Sequence, residues 1–271
     1  MNTAALDLRV AALAGGRRRT RAVRYTAYFV VLAAVVWSVE AILIADTDWN
    51  RILTGSLLKT LGRFLDLDLS ILPDLIQPTI ETVLMATLAT LGGLVLAIPV
   101  AWLGAANITP LGKFSYYIGR TLMTLSRSVH EIVWGLIFVS AVGFGALAGI
   151  LAMAVRSVGF ISKTIAEAIE DVNPGPIEAI RAVGGSKFQI LLYGIVPQVL
   201  PVFIGNMIFE WDINIRRSTI MGLVGAGGLG LALFRQMAMS NYGGIATVVL
   251  VVLALIVLGE VISYYARKAV I

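Results

Sequence analysis

The run TVLMATLATLGGLVLAIPVAWLGA, which begins just after Glu81, contains no charged side chain. About 20 such residues cross the roughly 30 Å hydrocarbon core of a bilayer as an α-helix, with every backbone N–H and C=O satisfied internally. Similar runs follow Arg24 and Asn241. The whole chain has the same bias. Of its 271 residues, 58% are hydrophobic and 14% charged, and the mean hydropathy is +0.89. Soluble domains have about 45–50% and about 25%. The expected fold class is all-α and polytopic. The absence of cysteine excludes disulfides and thiolate metal sites.

Basic residues orient such helices, because lysine and arginine are retained on the cytoplasmic side. Arg9, Arg17, Arg18, Arg19, Arg21 and Arg24 crowd residues 1–24. This segment reads as a cytoplasmic tail, and its charge as a topology signal rather than a nucleic-acid arm. Tyr25 to Ala45 is the first span, with Glu40 near its outer end. Asp46 to Pro78 is an acidic external connection, carrying Asp46, Asp48, Asp66, Asp68 and Asp74. Leu53, Leu57, Leu61 and Phe64 or Leu65 recur there at helical spacing beside Trp49. They suit a helix lying in the interface, or a seat for an extracytoplasmic protein.

Thr79 to Ala105 is the second span. Its Ala86, Ala89, Gly92 and Gly93 permit close helix approach, and Pro99 predicts a kink. Tyr116 to Ile165 contains one clean apolar block, Ile132 to Val155. A single helix there would put the polar stretch after Lys163, and the terminal Arg267 and Lys268, outside. Two helices, about 116–142 and 146–165 with Gly143 and Gly145 at the bend, put both inside. Two are therefore predicted, on this basic-residue bias together with the family resemblance given below. Gln198–Met221 and Gly243–Tyr265 complete about six spans, with both ends cytoplasmic.

Lys163 to Pro197 is the longest polar interruption in the second half. Each of its charges would cost about 2.5–3.5 kcal/mol at the centre of a membrane helix. It must lie in water, pinned at both ends by spans. Its centre reads as a short helix over 176–183. Asn173 or Gly175 caps it, Pro176 fits the first turn, and Gly184-Gly185 ends it. Ser186 caps a second helix. Ile177, Ile180 and Val183 form an apolar stripe suited to a groove on a soluble partner.

Charged residues also interrupt the spans. Arg127, His130 and Glu131 flank one, and Glu210, Asp212, Arg216 and Arg217 lie within another. Such residues face a cavity or one another. Two readings stand: a polar path in which Arg216 or Arg217 attracts an anion, or interhelical ion pairs such as Glu131 or Glu210 with Arg217. His130, the single histidine, cannot build a metal site alone. Gly225 to Gly230 fits G-x-G-x-x-G but lacks the strand before it and the acid after it, so it reads as a tight re-entrant turn. No P-loop is present, and neither is any hydrolase arrangement. The chain has no expected catalytic residue, metal or cofactor of its own. Any ATP energy must come from a partner.

Glu178-Ala179, Gly184 and Pro197, at their spacing, resemble the EAA coupling loop of ABC importer permeases. Ile180 stands where alanine is usual, and Gly194 and Val196 where isoleucine and leucine are. The segments ETVLMATLATLGGLVLAIPVAWLGAANITP, RSVHEIVWGLIFVSAVGFGALAGILA, IAEAIEDVNPGPIEAIRAVGGS and FEWDINIRRSTIMGLVGAGGLG are similar to phosphonate-type import permeases over about 79–265. His130 replaces an expected proline and Arg217 an expected small residue.

The resemblance implies the MetI-like permease fold. It divides the chain into a tail (1–24), a first helix with external loop (25–78) and a permease core (79–271) with the coupling loop at 166–196. It implies ATPase coupling through Glu178, Ala179, Ile180, Arg181, Gly184, Gly185 and Pro197. A translocation path past Arg127, Glu131, Glu210, Arg216 and Arg217 goes with it. The implied partners are a second copy, two ATPase subunits that bind ATP and Mg, an extracytoplasmic binding protein and membrane lipid. The implied cargo is phosphonate, phosphite or phosphate. A permease for another solute such as methionine, and an ion-coupled secondary transporter using Glu131, Glu210 and Arg217, are the alternatives. The lack of an evident internal repeat weighs against the latter.

Overall fold

The computed structural model describes residues 23–41, 49 and 56–270, with the side chains of Ser56, Leu57 and Val270 outside that description. Most of the basic tail, the end of the predicted first span (42–45), and Asp46, Asp48 and Leu53 of the predicted external segment lie outside the described residues. The chain divides into two compact units, Met1–Leu61 and Gly62–Ile271. The first contains α1 (Val23–Ala41), 19 residues long and apolar enough to cross a membrane. Helix α2 (Ser56–Arg63) starts at its end and covers Leu57 and Leu61 of the stretch predicted to be helical.

The second unit begins with two 3₁₀ turns and then α3 (Ile76–Gly104), which runs through Pro99. Helices α4 (Lys113–Ser128) and α5 (Glu131–Val142) follow. They form one broken element, bent by 91°. Two separate bends therefore occur where the sequence suggests one. Gly143 and Gly145, both at positive φ, make the turn that was expected. His130 makes the other, as N-cap of α5 with Nδ1 accepting from the Ile132 N–H. Helix α6 (Ala146–Glu170) then returns. After it come α7 (Pro174–Ala182), a helical turn at Lys187–Gln189, a π-helical stretch at Ile190–Ile195 and α8 (Val196–Met221). Helices α9 (Gly228–Ala238) and α10 (Tyr242–Val270) complete the unit. Among the described residues there are five candidate spans, or six if α4–α5 counts as one, and no strand.

Small residues let α3 and α6 pack closely. Ala86, Ala89, Ala97 and Ala101 of α3, and Ala148, Ala152 and Ser157 of α6, are fully or almost fully buried. A Cβ on Gly93 would lie 2.7 Å from the Ser157 Cβ. Near α7 the core is built from Ala97, Ala101, Met123, Ile161 and Ile165, with Ile195 and Val199 of the α8 lead-in. Toward the opposite end it is built from Met85, Ala89, Met153, Met221 and Ala226.

Candidate coupling and translocation sites

Helix α7 is positioned from its start. Asn173 caps it, its side chain accepting from the Gly175 N–H at 2.9 Å, and Pro174 occupies the first turn where no N–H is needed. Gln198 of α8 fastens this start. Its Oε1 accepts from the Asn173 N–H at 2.9 Å, and its Nε2 donates to the carbonyls of Asn173 (3.3 Å) and Gly194 (2.6 Å). Gly184, at φ +80°, ends the helix, and the Gly185 N–H returns to the Ile180 carbonyl at 2.9 Å. Ser186 and Gln189 then form a capping box.

The apolar stripe is corrected here. Ile177 and Ile180 face back onto Gly194, where a Cβ would lie 3.3 and 3.4 Å from them. The face turned outward carries Glu178, Ala179 and Arg181, with Val183 85% and Phe188 69% exposed. Pro197 is exposed in the first turn of α8. Having no N–H, it cannot continue an α-helical ladder from the π-helical stretch before it.

At the base of the loop, Glu170 accepts from the Ala106 N–H and from Arg120, all at 2.7 Å. Arg120 Nε also donates to the Gly104 carbonyl at 2.9 Å. This clamp ties α6 to α4 and to the end of α3. The sequence reading did not single out either residue.

The second cluster lies where α3, α5, α6 and α8 meet. On α8, Glu210, Asn214 and Arg217 share one face at helical spacing. Arg217 donates to Glu210 at 2.5 Å and to Asn214 Oδ1 at 3.0 Å, and its Nε stands 3.8 Å from Glu131. Ser157 donates to the same Glu210 oxygen at 2.9 Å, and Asn214 Nδ2 donates to Thr90 and Ser157. Glu210 is fully buried, and its other oxygen has no partner among the described residues. On a different face of α8, Arg216 donates to Asp212 at 2.6 Å and lies 3.9 Å from Glu260 of α10. Of the interhelical ion pairs foreseen, Arg217 with Glu131 joins α8 to α5, whereas Arg217 with Glu210 lies within α8. Arg127 is exposed and has no ion pair among the described residues. The sequence reading missed Arg156, whose Nε lies 3.8 Å from Glu131.

The glycine segment is a tight turn, as expected. Gly225, Gly227 and Gly228 have positive φ, and a Cβ on Gly230 would overlap the Thr219 carbonyl. Glu81 accepts from the Gly228 N–H at 3.0 Å and Thr82 from the Leu229 N–H at 2.9 Å, so α3 caps the start of α9. No group of three or more potential metal ligands occurs among the described residues.

A family described as "binding-protein-dependent transport system inner membrane component" matches residues 93–271. The chain belongs to that family. It is 42% identical over 193 residues to the phosphite transport system permease protein PtxC of Stutzerimonas stutzeri, covering 71% of this chain and 70% of that protein. It is 35% identical over 198 residues to the phosphate-import permease protein PhnE of Mycolicibacterium smegmatis, covering 73% of this chain and 37% of that longer protein. Among solved structures, the inward-facing MetNI methionine ABC transporter superposes with a TM-score of 0.65 at 24% identity, over 76% of this chain and all of that one. The fold is the all-α MetI-like permease fold. The chain is an inner-membrane component of a binding-protein-dependent transport system, which is not the class of the ion-coupled secondary transporter.

Proposed function

We propose that this chain is the permease subunit of an ATP-binding cassette importer for a phosphorus oxyanion: phosphite, phosphate or phosphonate. The observation that carries the reading is the 42% identity to a phosphite permease over 193 residues and 35% to a phosphate permease over 198. A methionine permease is the weaker alternative, with 27% identity to the relative of that name from Pasteurella multocida.

In this reading two copies form the pore, with both termini of each in the cytoplasm. Two ATPase subunits, which bind ATP and Mg, receive the outward face of α7 through Glu178, Ala179 and Arg181. Ile180 seats the helix, Gly184 and Gly185 shape its exit, and Pro197 begins the helix that carries its movement onward. An extracytoplasmic binding protein delivers the anion to a path that passes Arg127, Glu131, Glu210, Arg216 and Arg217. This chain needs no cofactor.

The test is uptake by proteoliposomes holding the permease, its ATPase and its binding protein. Labelled phosphite, phosphate and methylphosphonate compete with one another, and methionine does not. Methionine uptake, or uptake without ATP, would overturn the reading.

A further inference from the structure

Both arginines that the sequence nominates for an anion are engaged by carboxylates. Arg217 donates to Glu210, and Arg216 to Asp212. Arg156, on α6, differs. Its only ion pair among the described residues is the 3.8 Å approach of Nε to Glu131, and no hydrogen bond within the described protein uses its guanidinium.

Glu131 faces three cationic or titratable groups at that same 3.8 Å: Arg156, Arg217 and His130 Nδ1. Arg217 lies toward Oε1 and already has Glu210, whereas Arg156 and His130 share Oε2. Side-chain exposure falls from 62% at His130, through 25% at Arg156 and 13% at Arg217, to 0% at Glu210. The cluster therefore grades from a solvent-exposed end at His130 to a buried end at Glu210. Arg156 stands between them, and the stem of exposed Arg127 lies against Gly159, one helical turn away.

We propose that Arg156, rather than Arg216 or Arg217, receives the tetrahedral phosphorus oxyanion in the membrane, with Glu131 as the positioning residue that holds its guanidinium when no ligand is present. This inference rests on the oxyanion-permease reading above. A guanidinium fork with free N–H groups matches two oxygens of such an anion. The adjacent Glu131 carboxylate repels the same anion. Binding is thereby kept weak enough for release, as a transport path requires. Arg217, neutralised by Glu210 and Glu131, holds the helices together.

The test uses the assembled transporter with its ATPase and binding protein. In proteoliposomes, Arg156→Gln raises the KM for phosphite uptake about tenfold to a hundredfold, the range for one lost charge-assisted hydrogen bond. Arg156→Lys recovers part of the loss, and ATP hydrolysis stimulated by the binding protein persists. A second measurement needs no variant. In the wild-type transporter, excess phosphite protects Arg156 from phenylglyoxal while modification at Arg217 does not change. An unchanged KM in Arg156→Gln, or protection at Arg217 instead of Arg156, would overturn the inference and leave the permease reading standing. A wild-type transporter that takes up none of the three oxyanions would overturn both.

Discussion

Ile180 and Gly194 exchange the volumes that the coupling-loop pattern leads one to expect. The larger side chain sits on α7 and the missing one on the lead-in to α8, and a Cβ on Gly194 would lie 3.4 Å from Ile180 Cδ1. Gly194→Ile overfills this contact and destabilises the protein by about 1–3 kcal/mol. Adding Ile180→Ala recovers at least half of the loss, as thermal unfolding of the purified permease checks. Additive losses would show that the two positions do not share the space. Asp68 tests a different force. The Ser70 hydroxyl, then the Asn241 amide, hold its carboxyl below the usual carboxylate range. A carboxyl lowered by native contacts stabilises above its unfolded pKa of 3.8, and that contribution is lost as pH falls through the lower native value. Amide exchange at 241–247 should therefore be flat from pH 7 to 5 once intrinsic rates are removed. It should accelerate only below pH 4, and Asp68→Asn should abolish that acid step.

Among the helices, α3 against α6 is the contact with least room for change. Gly93→Ala would place its Cβ 2.7 Å from that of Ser157 and 3.2 Å from the Ala154 carbonyl oxygen. The expected loss is about 1–3 kcal/mol. Because Ser157 also donates to Glu210, the displacement reaches the ion-pair cluster. Gly92→Ala, with only the Ala154 Cβ 3.8 Å away, should be close to neutral in the same unfolding assay. This packing was legible in the sequence, because small residues at helical spacing in an apolar run have few other uses. The break between α4 and α5 was not, since hydropathy reports length and apolarity but not direction. Its signal was His130 followed by Glu131, a polar N-cap and an acidic first turn inside what read as one span. Arg156 and Glu81 were missed for a related reason. Each sits at the edge of an apolar run, where a charge reads as a flank, and only packing of distant helices brings it against Glu131 or Gly228.

At the largest scale, α7 and the charge cluster are linked by one helix, α8, which runs through Pro201. The start of α7 is held to α8 by two hydrogen bonds between Gln198 and Asn173, and a third to Gly194 fixes the Gln198 side chain to the lead-in of its own helix. Ile177 and Ile180 rest on the π-helical stretch just before α8. From Gln198 the same helix continues to Glu210 and Arg217, about 18 Å and about 29 Å away at about 1.5 Å per residue. On the proposed coupling reading, a push on α7 travels along α8, through Pro201, to the end of the helix that holds the ion pairs. Two hydrogen bonds at about 0.5–1.5 kcal/mol each suffice to favour the docked loop by about fivefold or more. Gln198→Ala should therefore leave the permease inserted and the ATPase bound, because the outward residues Glu178 and Arg181 are untouched. Uptake per ATP hydrolysed should fall about fivefold or more, while basal hydrolysis continues. Gln198→Glu is the sharper control. It retains the acceptor for the Asn173 N–H but loses the donors to the Asn173 and Gly194 carbonyls, so its coupling ratio should fall between those of the wild type and Gln198→Ala. A wild-type ratio in Gln198→Ala would show that α7 drives the spans by another route, with the Glu170–Arg120 clamp the next candidate.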